Sequence, residues 1–571
     1  MTSDLTPVTP KSVPTALIIR VLAFNLPLVL GLFSLKVLPE VFQPFFAGLM
    51  MMILPGLAWS DMRERDFVVL LFRVVIISIL ASAAVWLLLM PLPGPTSRIA
   101  FVVGLALIVN AGLWFGTKRQ WFDLTEIVKP LPAVLLAVAA LFYLQSFMGA
   151  TKFVPQLEDQ DMELQATAYG MINDGTPNMV TNRGTRFYLA HPLMLHFWIG
   201  EGALFEDQID GFKYYYDASV AAKDPAFDRK AAWDQSFVQF NATPLLLATR
   251  TPNIFLSFLI IFPLGFLVHR LSGSLIAAAG AGVFYATFPE IYVRSSYGGY
   301  MAISNFWLVC SAYFYLRATG LFTHGPNVTD PVDSDRRRGF WASFMSSISD
   351  QKGALLPMAT PVHVGLRFLM DGGLKGLFSD GIKGAWQKVI ARTDVRAGLG
   401  ICLGFLVGWM AFIAYGFAVD PRDFYEEHIY DHLIGRLKAA EDQVVAHSDW
   451  VYPSAGELWM QFTTHYGWLT MIAFGLALIY GGRRIRQGVG FLVLWFAIGA
   501  IGFSLVDWRQ TKHFAHFVPA LVMLTAVYWA SLKGRWQQAF SAFMVVTILW
   551  NFYRVILTMQ NFTYIQPLPI W

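Results

Sequence analysis

The chain has 571 residues, 56% of them hydrophobic and 15% aromatic, with only 14% charged and a mean hydropathy of +0.50. Soluble domains carry about 25% charged residues, so this composition excludes one and points to a polytopic membrane protein. A net charge of +4 is too small to suggest a nucleic-acid partner, and the two cysteines, Cys310 and Cys402, sit inside apolar stretches, which excludes a disulfide framework, a zinc site or a redox motif.

The first residues, MTSDLTPVTPKSVP, are polar and lack the small-residue cleavage site of a signal peptide, so they are expected to stay attached. Apolar runs at 14–35, 41–60, 67–90 and 99–117 follow, each near the ~20 residues that cross a bilayer. Lys11 precedes the first run, Asp61-Met62-Arg63-Glu64-Arg65 follows the second, and Lys118, Arg119 and Lys129 follow the fourth. The intervening turns are poor in net positive charge. Positive-inside logic then places the N-terminus in the cytoplasm, and the fifth run, 131–148, leads outward.

That fifth run delivers the stretch Thr151 to Glu201, which opens with Glu158, Asp159, Asp161 and Glu163. Carboxylates this close together at a membrane surface raise one another's pKa and repel anionic lipid. An isolated acidic run is often only a solvated loop start; here His191-Pro192 begins another apolar run and returns the chain towards the membrane. The loop continues to about Arg250, and a hundred structureless residues would be exceptional, so short helices along the membrane surface are expected.

Further spans are expected at 252–268, 274–290 and 297–316, before the basic connection Arg336-Arg337-Arg338 on the cytoplasmic side. The segment 339–348 is too short to span. Asp350-Gln351-Lys352 follows it, and 353–369 is apolar but interrupted by Pro357 and Pro361. This reads as a helical hairpin with a charged tip, buried in protein or at the outer face, since broken helices at membrane depth are tolerated only inside protein or along a wet cavity. An amphipathic stretch, 371–396, leads to a span at 397–419 and a second outer loop, 420–464. Spans at 466–482, 487–506, 514–532 and 536–553 complete the chain, with basic turns Arg483-Arg484-Ile485-Arg486 and Lys533 to Arg535 inside.

Three outward-facing polar clusters result: the acidic loop, the loop around Tyr425-Glu426-Glu427-His428-Ile429-Tyr430-Asp431-His432, and Asp507 to His516. Carboxylates suited to acid/base work, beside Lys and Arg able to hold a phosphate at the lipid boundary, suit an enzyme that takes a group from a lipid-phosphate donor. The candidate bases are Glu158, Asp159 and Asp161, with the register open. Arg294, Lys352, Arg509 and Lys512 are candidate donor-phosphate ligands, and His191, Tyr425, His428, His432 and His513 candidates for lining the acceptor path. The bland alternatives are interfacial snorkelling for the cations and cap packing for the histidines. The acidic run can also ligate a hard divalent cation through its oxygens. The cytoplasmic connections contain no nucleotide-binding glycine-rich loop.

The order of these motifs resembles GT-C glycosyltransferases, and more narrowly the bacterial protein O-mannosyltransferase and lipid A aminoarabinose transferase group. The resemblance rests on the helix, acidic loop and Gln165-Ala166-Thr167-Ala168-Tyr169, the His191-Pro192-Leu193 return, Phe288-Pro289-Glu290 with Arg294, Tyr425 to Leu433, His447 and Trp450, and Lys512-His513-Phe514 before Val518-Pro519-Ala520. It covers roughly 130–530. The acidic pair of that group is a plain Asp-Glu and its return has a second proline; here Glu158-Asp159-Gln160-Asp161 offers several registers and the second proline is missing.

The resemblance implies an all-α polytopic fold with a GT-C-like helical core at 130–553; the tail and four extra helices at 1–129 fall outside that core, and an extracytoplasmic tail is expected at 554–571. Outer loops 149–250 and 420–464 would form a small cap. It implies an inverting glycosyltransferase of the plasma (inner) membrane, moving a sugar from a polyprenyl-phosphate donor to a glycan, lipid or protein acceptor on the periplasmic or exterior face, without a metal or other cofactor. The alternative from another class is a lipid-linked-sugar flippase or other secondary transporter, which would show internal repeats with paired interrupted helices.

Overall fold

The computed structural model describes residues 15–33, 35–122, 130–152, 172, 243–297, 299, 301–324, 332–371, 373, 387–419, 421–434, 454–505 and 511–561. Every regular element among them is helical, and the protein is an all-α polytopic membrane protein. Six described helices are long and apolar enough to cross a bilayer, seven if one bent pair counts as a single span. The chain divides into two compact units, Met1–Glu126 and Ile127–Trp571.

The first unit contains α1 (Thr15–Leu32), α2 (Gln43–Met52), α3 (Leu54–Ala58), α4 (Phe67–Leu89) and α5 (Arg98–Lys118). The run 41–60, expected as one span, is instead broken at Ile53, because Pro55 has no N–H to continue the helical ladder and begins a new turn. Asp66 starts α4 by accepting hydrogen bonds from the Val68 and Val69 amides, at 3.1 and 3.3 Å. Asn25 and Asn110 exchange side-chain hydrogen bonds at 3.0 and 2.8 Å, and each also donates to the carbonyl four residues before it, Val21 and Ala106. All four amide hydrogens are thereby used, which lets two polar side chains join α1 to α5 without leaving a donor unmet.

The second unit contains α6 (Pro130–Lys152), α7 (Thr243–Ser272), α8 (Leu275–Ala286), α9 (Pro289–Ser296), α10 (Met301–Ala318), α11 (Val332–Ser347), α12 (Leu355–Met370), α13 (Thr393–Val419), α14 (Pro421–Phe424), α15 (Ala455–Gly482), α16 (Gly488–Leu505), α17 (Val518–Ser531) and α18 (Gly534–Asn561). Every residue of α10 is buried, so this helix has no lipid-compatible face to maintain and tolerates Ser304, Asn305 and Ser311. The span expected at 274–290 is two helices, α8 and α9, bent by 66°. Pro289 opens the second of them, and Gln145 of α6 donates to the freed Ala286 carbonyl at 2.8 Å.

The expected hairpin is present as α11, a 3-10 turn Gln351–Ala354, and α12. Its first arm is longer than anticipated, because Arg336 to Arg338 lie inside α11 rather than in a connection: Asp335 takes Arg317 at 2.9 Å and Arg338 at 2.7 Å, and Asp333 takes Arg396 at 2.8 Å. α13 packs on this arm through Gly400, Gly404 and Gly408; a Cβ on Gly404 would sit 2.1 Å from the Phe340 carbonyl oxygen, so the small residues set the approach.

Candidate functional site

At one end of the second unit three segments meet: α9, the hairpin turn Gln351–Ala354, and a 3-10 turn Thr511–His516 that precedes α17. α9 packs against the 511–516 turn, and Asn305 of α10 donates to the Ala515 carbonyl at 2.9 Å, fixing that turn on the buried helix. His516 Nε2 then lies 3.1 Å from Asp350 Oδ2, an electrostatic contact off the line of a hydrogen bond. On its other oxygen Asp350 accepts from the Lys352 amide at 3.2 Å and faces the Lys352 ammonium at 3.4 Å. Asp350 and His516 are both buried. The Lys352 ammonium is the counter-charge of the Asp350 carboxylate, and this partly offsets the cost of removing that carboxylate from water.

Beside this, Arg294 Nε donates to Glu290 Oε1 at 2.7 Å, one turn back on α9, with side chains only 4% and 7% exposed. A cavity of about 10 Å³, room for about one water molecule, opens here and is lined by Arg294, Ser295, Tyr285, Asn305 and Ser257 among others. α6 and α7 are fastened to the same end. Arg250 is fully buried, donates to the Ala150 carbonyl at 2.6 Å, and lies 4.7 Å over the Tyr297 ring, while Asn253 donates to the Tyr297 carbonyl at 2.6 Å. Arg250 therefore secures the last turn of α6, the helix from which the acidic run departs a few residues later.

Two of the four cations singled out in the sequence, Arg294 and Lys352, lie on segments that converge here. Lys512 belongs to the third segment by its backbone; its side chain, like those of His513 and His432, lies outside the described residues, as do Arg509, His191, Glu158, Asp159 and Asp161 altogether. His428 is buried between Phe412, with ring centroids 4.7 Å apart, and Phe424, at 4.9 Å, while Tyr425 is about half exposed. No group of three or more metal-ligating side chains occurs among the described residues.

The buried contacts of Asp350, His516, Glu290 and Arg250 give these residues places the sequence did not assign them. Asp350 and His516 had a visible signal, polar residues at the tip of a broken hairpin and at a span mouth, but only the fold joins them. Arg250 marked a loop end in the sequence and is in fact interior, because α7 begins at Thr243.

No family model matches the chain, and no curated protein matches it. Among solved structures it is similar to ArnT from Cupriavidus metallidurans bound to undecaprenyl phosphate, at 12% identity and a TM-score of 0.48 over 75% of this chain and 70% of that one. It is also similar, at 12% identity and a TM-score of 0.45, to the oligosaccharyltransferase AglB from Archaeoglobus fulgidus in complex with an inhibitory peptide and a dolichol-phosphate, over 75% of this chain and 56% of that one. At these values the likeness carries no argument about the site.

Proposed function

We propose that this protein is a GT-C-type inverting glycosyltransferase that moves a sugar from a polyprenyl-phosphate donor to an acceptor at the extracytoplasmic face of the plasma (inner) membrane. The observation that supports it best is the meeting of α9, the 351–354 turn and the 511–516 turn, three segments on which the motif order had placed donor-binding cations, around buried acidic and basic groups. Undecaprenyl phosphate, the ligand named for the Cupriavidus protein, belongs to the proposed class of carrier.

On this reading a phosphate leaving an anomeric carbon gains charge in the transition state, and fixed cations, with Arg294, Lys352, Arg509 and Lys512 as the candidates, lower that barrier. Asp159, or Asp161 in the shifted register, removes the acceptor proton, and His191, Tyr425, His428, His432 and His513 flank the acceptor path. No metal takes part. The acceptor is a glycan, lipid or protein.

The test is release of free polyprenyl phosphate by the full chain in membranes from a panel of polyprenyl-phosphate sugars. Asp159→Asn or Asp161→Asn should lower that rate by about 10²- to 10⁴-fold at equal expression. Wild-type turnover in both variants removes the base assignment, and no release from any donor removes the reading. Cysteines placed at Asp207 and Asp442 should react with an impermeant thiol reagent in intact cells; labelling only after permeabilisation would reverse the proposed face.

The breaks at Thr287-Phe288 and at Gly467 within α15 favour a second reading, a flippase or other secondary transporter, since interrupted helices mark such carriers. A flippase would move the donor across liposomes and release no polyprenyl phosphate.

A further inference from the structure

Among the described residues, three hydrogen-bond donors of the last helix meet no protein acceptor. Trp550, Asn551 and Arg554 lie on one side of α18, spaced by one and three residues, and this side faces α15. Asn551 is fully buried; its Oδ1 accepts from Thr470 at 3.3 Å while its Nδ2 has no partner among the described residues. Arg554 is partly buried and makes no ion pair or side-chain hydrogen bond among the described residues, in contrast to Arg250 and Arg294 nearby. The Trp550 indole N–H meets no protein acceptor among the described residues, and the residue is 45% exposed.

The helix opposite is broken where these donors arrive. Gly467 has φ 73° and ψ 150° inside α15, a conformation that side-chain-bearing residues rarely adopt. A Cβ at this position would lie 2.9 Å from Trp550 Nε1 and 3.5 Å from Arg554 Nη1. The glycine therefore leaves a notch that the Trp550 and Arg554 side chains occupy. Tyr466, next to it, is within electrostatic reach of Arg554 and of the Glu290–Arg294 pair, and Val555 packs with Tyr292 and Tyr297 around α9, so the notch adjoins the end already described.

Depth narrows the ligand. Arg554 follows Arg535 by nineteen residues, about 28 Å along a helix at 1.5 Å per residue, close to the ~30 Å of a hydrocarbon core. It thus stands at head-group level on the side opposite Arg535. An arginine that only snorkels extends to water; this one turns inward to the break in α15. A guanidinium, an indole N–H and a primary amide N–H, with no carboxylate bonded to them among the described residues, match an anion with several acceptor oxygens.

We propose that Trp550, Asn551 and Arg554 bind the phosphate of a lipid head group beside the break at Gly467. The site does not require the transfer reading, since the phosphate of a bilayer phospholipid has the same chemistry as that of a polyprenyl carrier; absence of turnover by the full chain with lipid binding present would count against that reading alone.

The test is native mass spectrometry of the full chain in mild detergent, titrated separately with undecaprenyl phosphate, phosphatidylglycerol, uncharged undecaprenol and inorganic phosphate. Arg554→Gln should weaken retention of a phosphate-bearing lipid about tenfold or more, Asn551→Leu should weaken it in the same direction, and Arg535→Gln should leave it unchanged. A loss confined to undecaprenyl phosphate assigns the site to the carrier; one confined to phosphatidylglycerol assigns it to a bilayer lipid; either supports the proposal. Should Arg554→Gln fail to fold, Asn551→Leu and Arg554→Lys, which keep the arginine or its charge, make the same test. Unchanged retention in the folded variants overturns it, and so does binding of undecaprenol or inorganic phosphate as tight as that of the lipids.

Discussion

The two ends of the second unit handle charge differently. At the end bearing Arg317, Asp335, Asp371 and Arg486, each carboxylate joins arginines from separate segments: Asp335 takes Arg317 and Arg338, Asp394 takes Arg367 and Arg392, and Asp371 takes Arg392 at 3.0 Å and Arg486 at 2.5 Å. At the other end Glu290 pairs with Arg294 one turn away, Asp350 pairs with Lys352 two residues away and also meets His516 of the 511–516 turn, and Arg554 has no counter-charge among the described residues. A carboxylate shared between helices fastens them together. The Glu290–Arg294 pair holds its cation in place within one helix, without tying segments to one another, which suits a site that must take in and release an anion.

Substitution of the shared carboxylates should cost stability, and of the local ones function. The largest effect is expected at Asp335, whose side chain is fully buried. Asp335→Asn leaves Arg317 buried without its charge partner, and a broken buried pair costs about 3–5 kcal/mol; thermal unfolding in detergent should show a large drop or no monodisperse protein. Wild-type stability would mean this end is not held by its ion pairs.

Asp350→Asn is expected to have a moderate and different effect. Lys352 is 20% exposed and can turn to water, so unfolding should shift less than for Asp335→Asn. Binding of undecaprenyl phosphate should weaken about tenfold as Lys352 and His516 lose their orientation. Unchanged binding with a stability loss like that of Asp335→Asn would place Asp350 with the structural end.

The smallest effect concerns acid. The hydrogen bond from Arg486 holds the Asp371 carboxyl below its ordinary pKa, against a small opposing effect of burial and with further help from Arg392. A lowered folded pKa means that the contribution is complete above the unfolded value, about pH 4, and is lost as pH falls through the folded value. Asp371 is 36% exposed, so solvent screening keeps the contribution below about 1 kcal/mol. Thermal midpoints of wild type and Asp371→Asn should differ slightly at pH 6 and converge towards pH 3; a constant difference would contradict the assignment.

Much of the fold was legible because long apolar runs with charged ends leave a bilayer-spanning chain few alternatives, and the helices at 67–89, 98–118, 130–152 and 393–419 lie close to the runs read from sequence. The breaks were harder to read. Pro55 and Pro289 each stand in an apolar run that hydropathy alone extends, and the kink at Gly467 falls inside another such run, with the Trp550 and Arg554 side chains opposite it. The site was legible as clusters of residues and not as contacts: Asp350 and His516 are far apart in sequence, and Arg554 is one cation after a long apolar run, with only Trp550 and Asn551 on the same turn as a signal.

The most direct measurement is a density map of the full chain with undecaprenyl phosphate bound. The account predicts phosphate density at the end formed by α9, the 351–354 turn and the 511–516 turn, within reach of at least one of Arg294, Lys352, Lys512 and Arg554. Phosphate density only at the end that carries Asp335 and Asp371, or a saturated sample with the lipid at neither end, would contradict it.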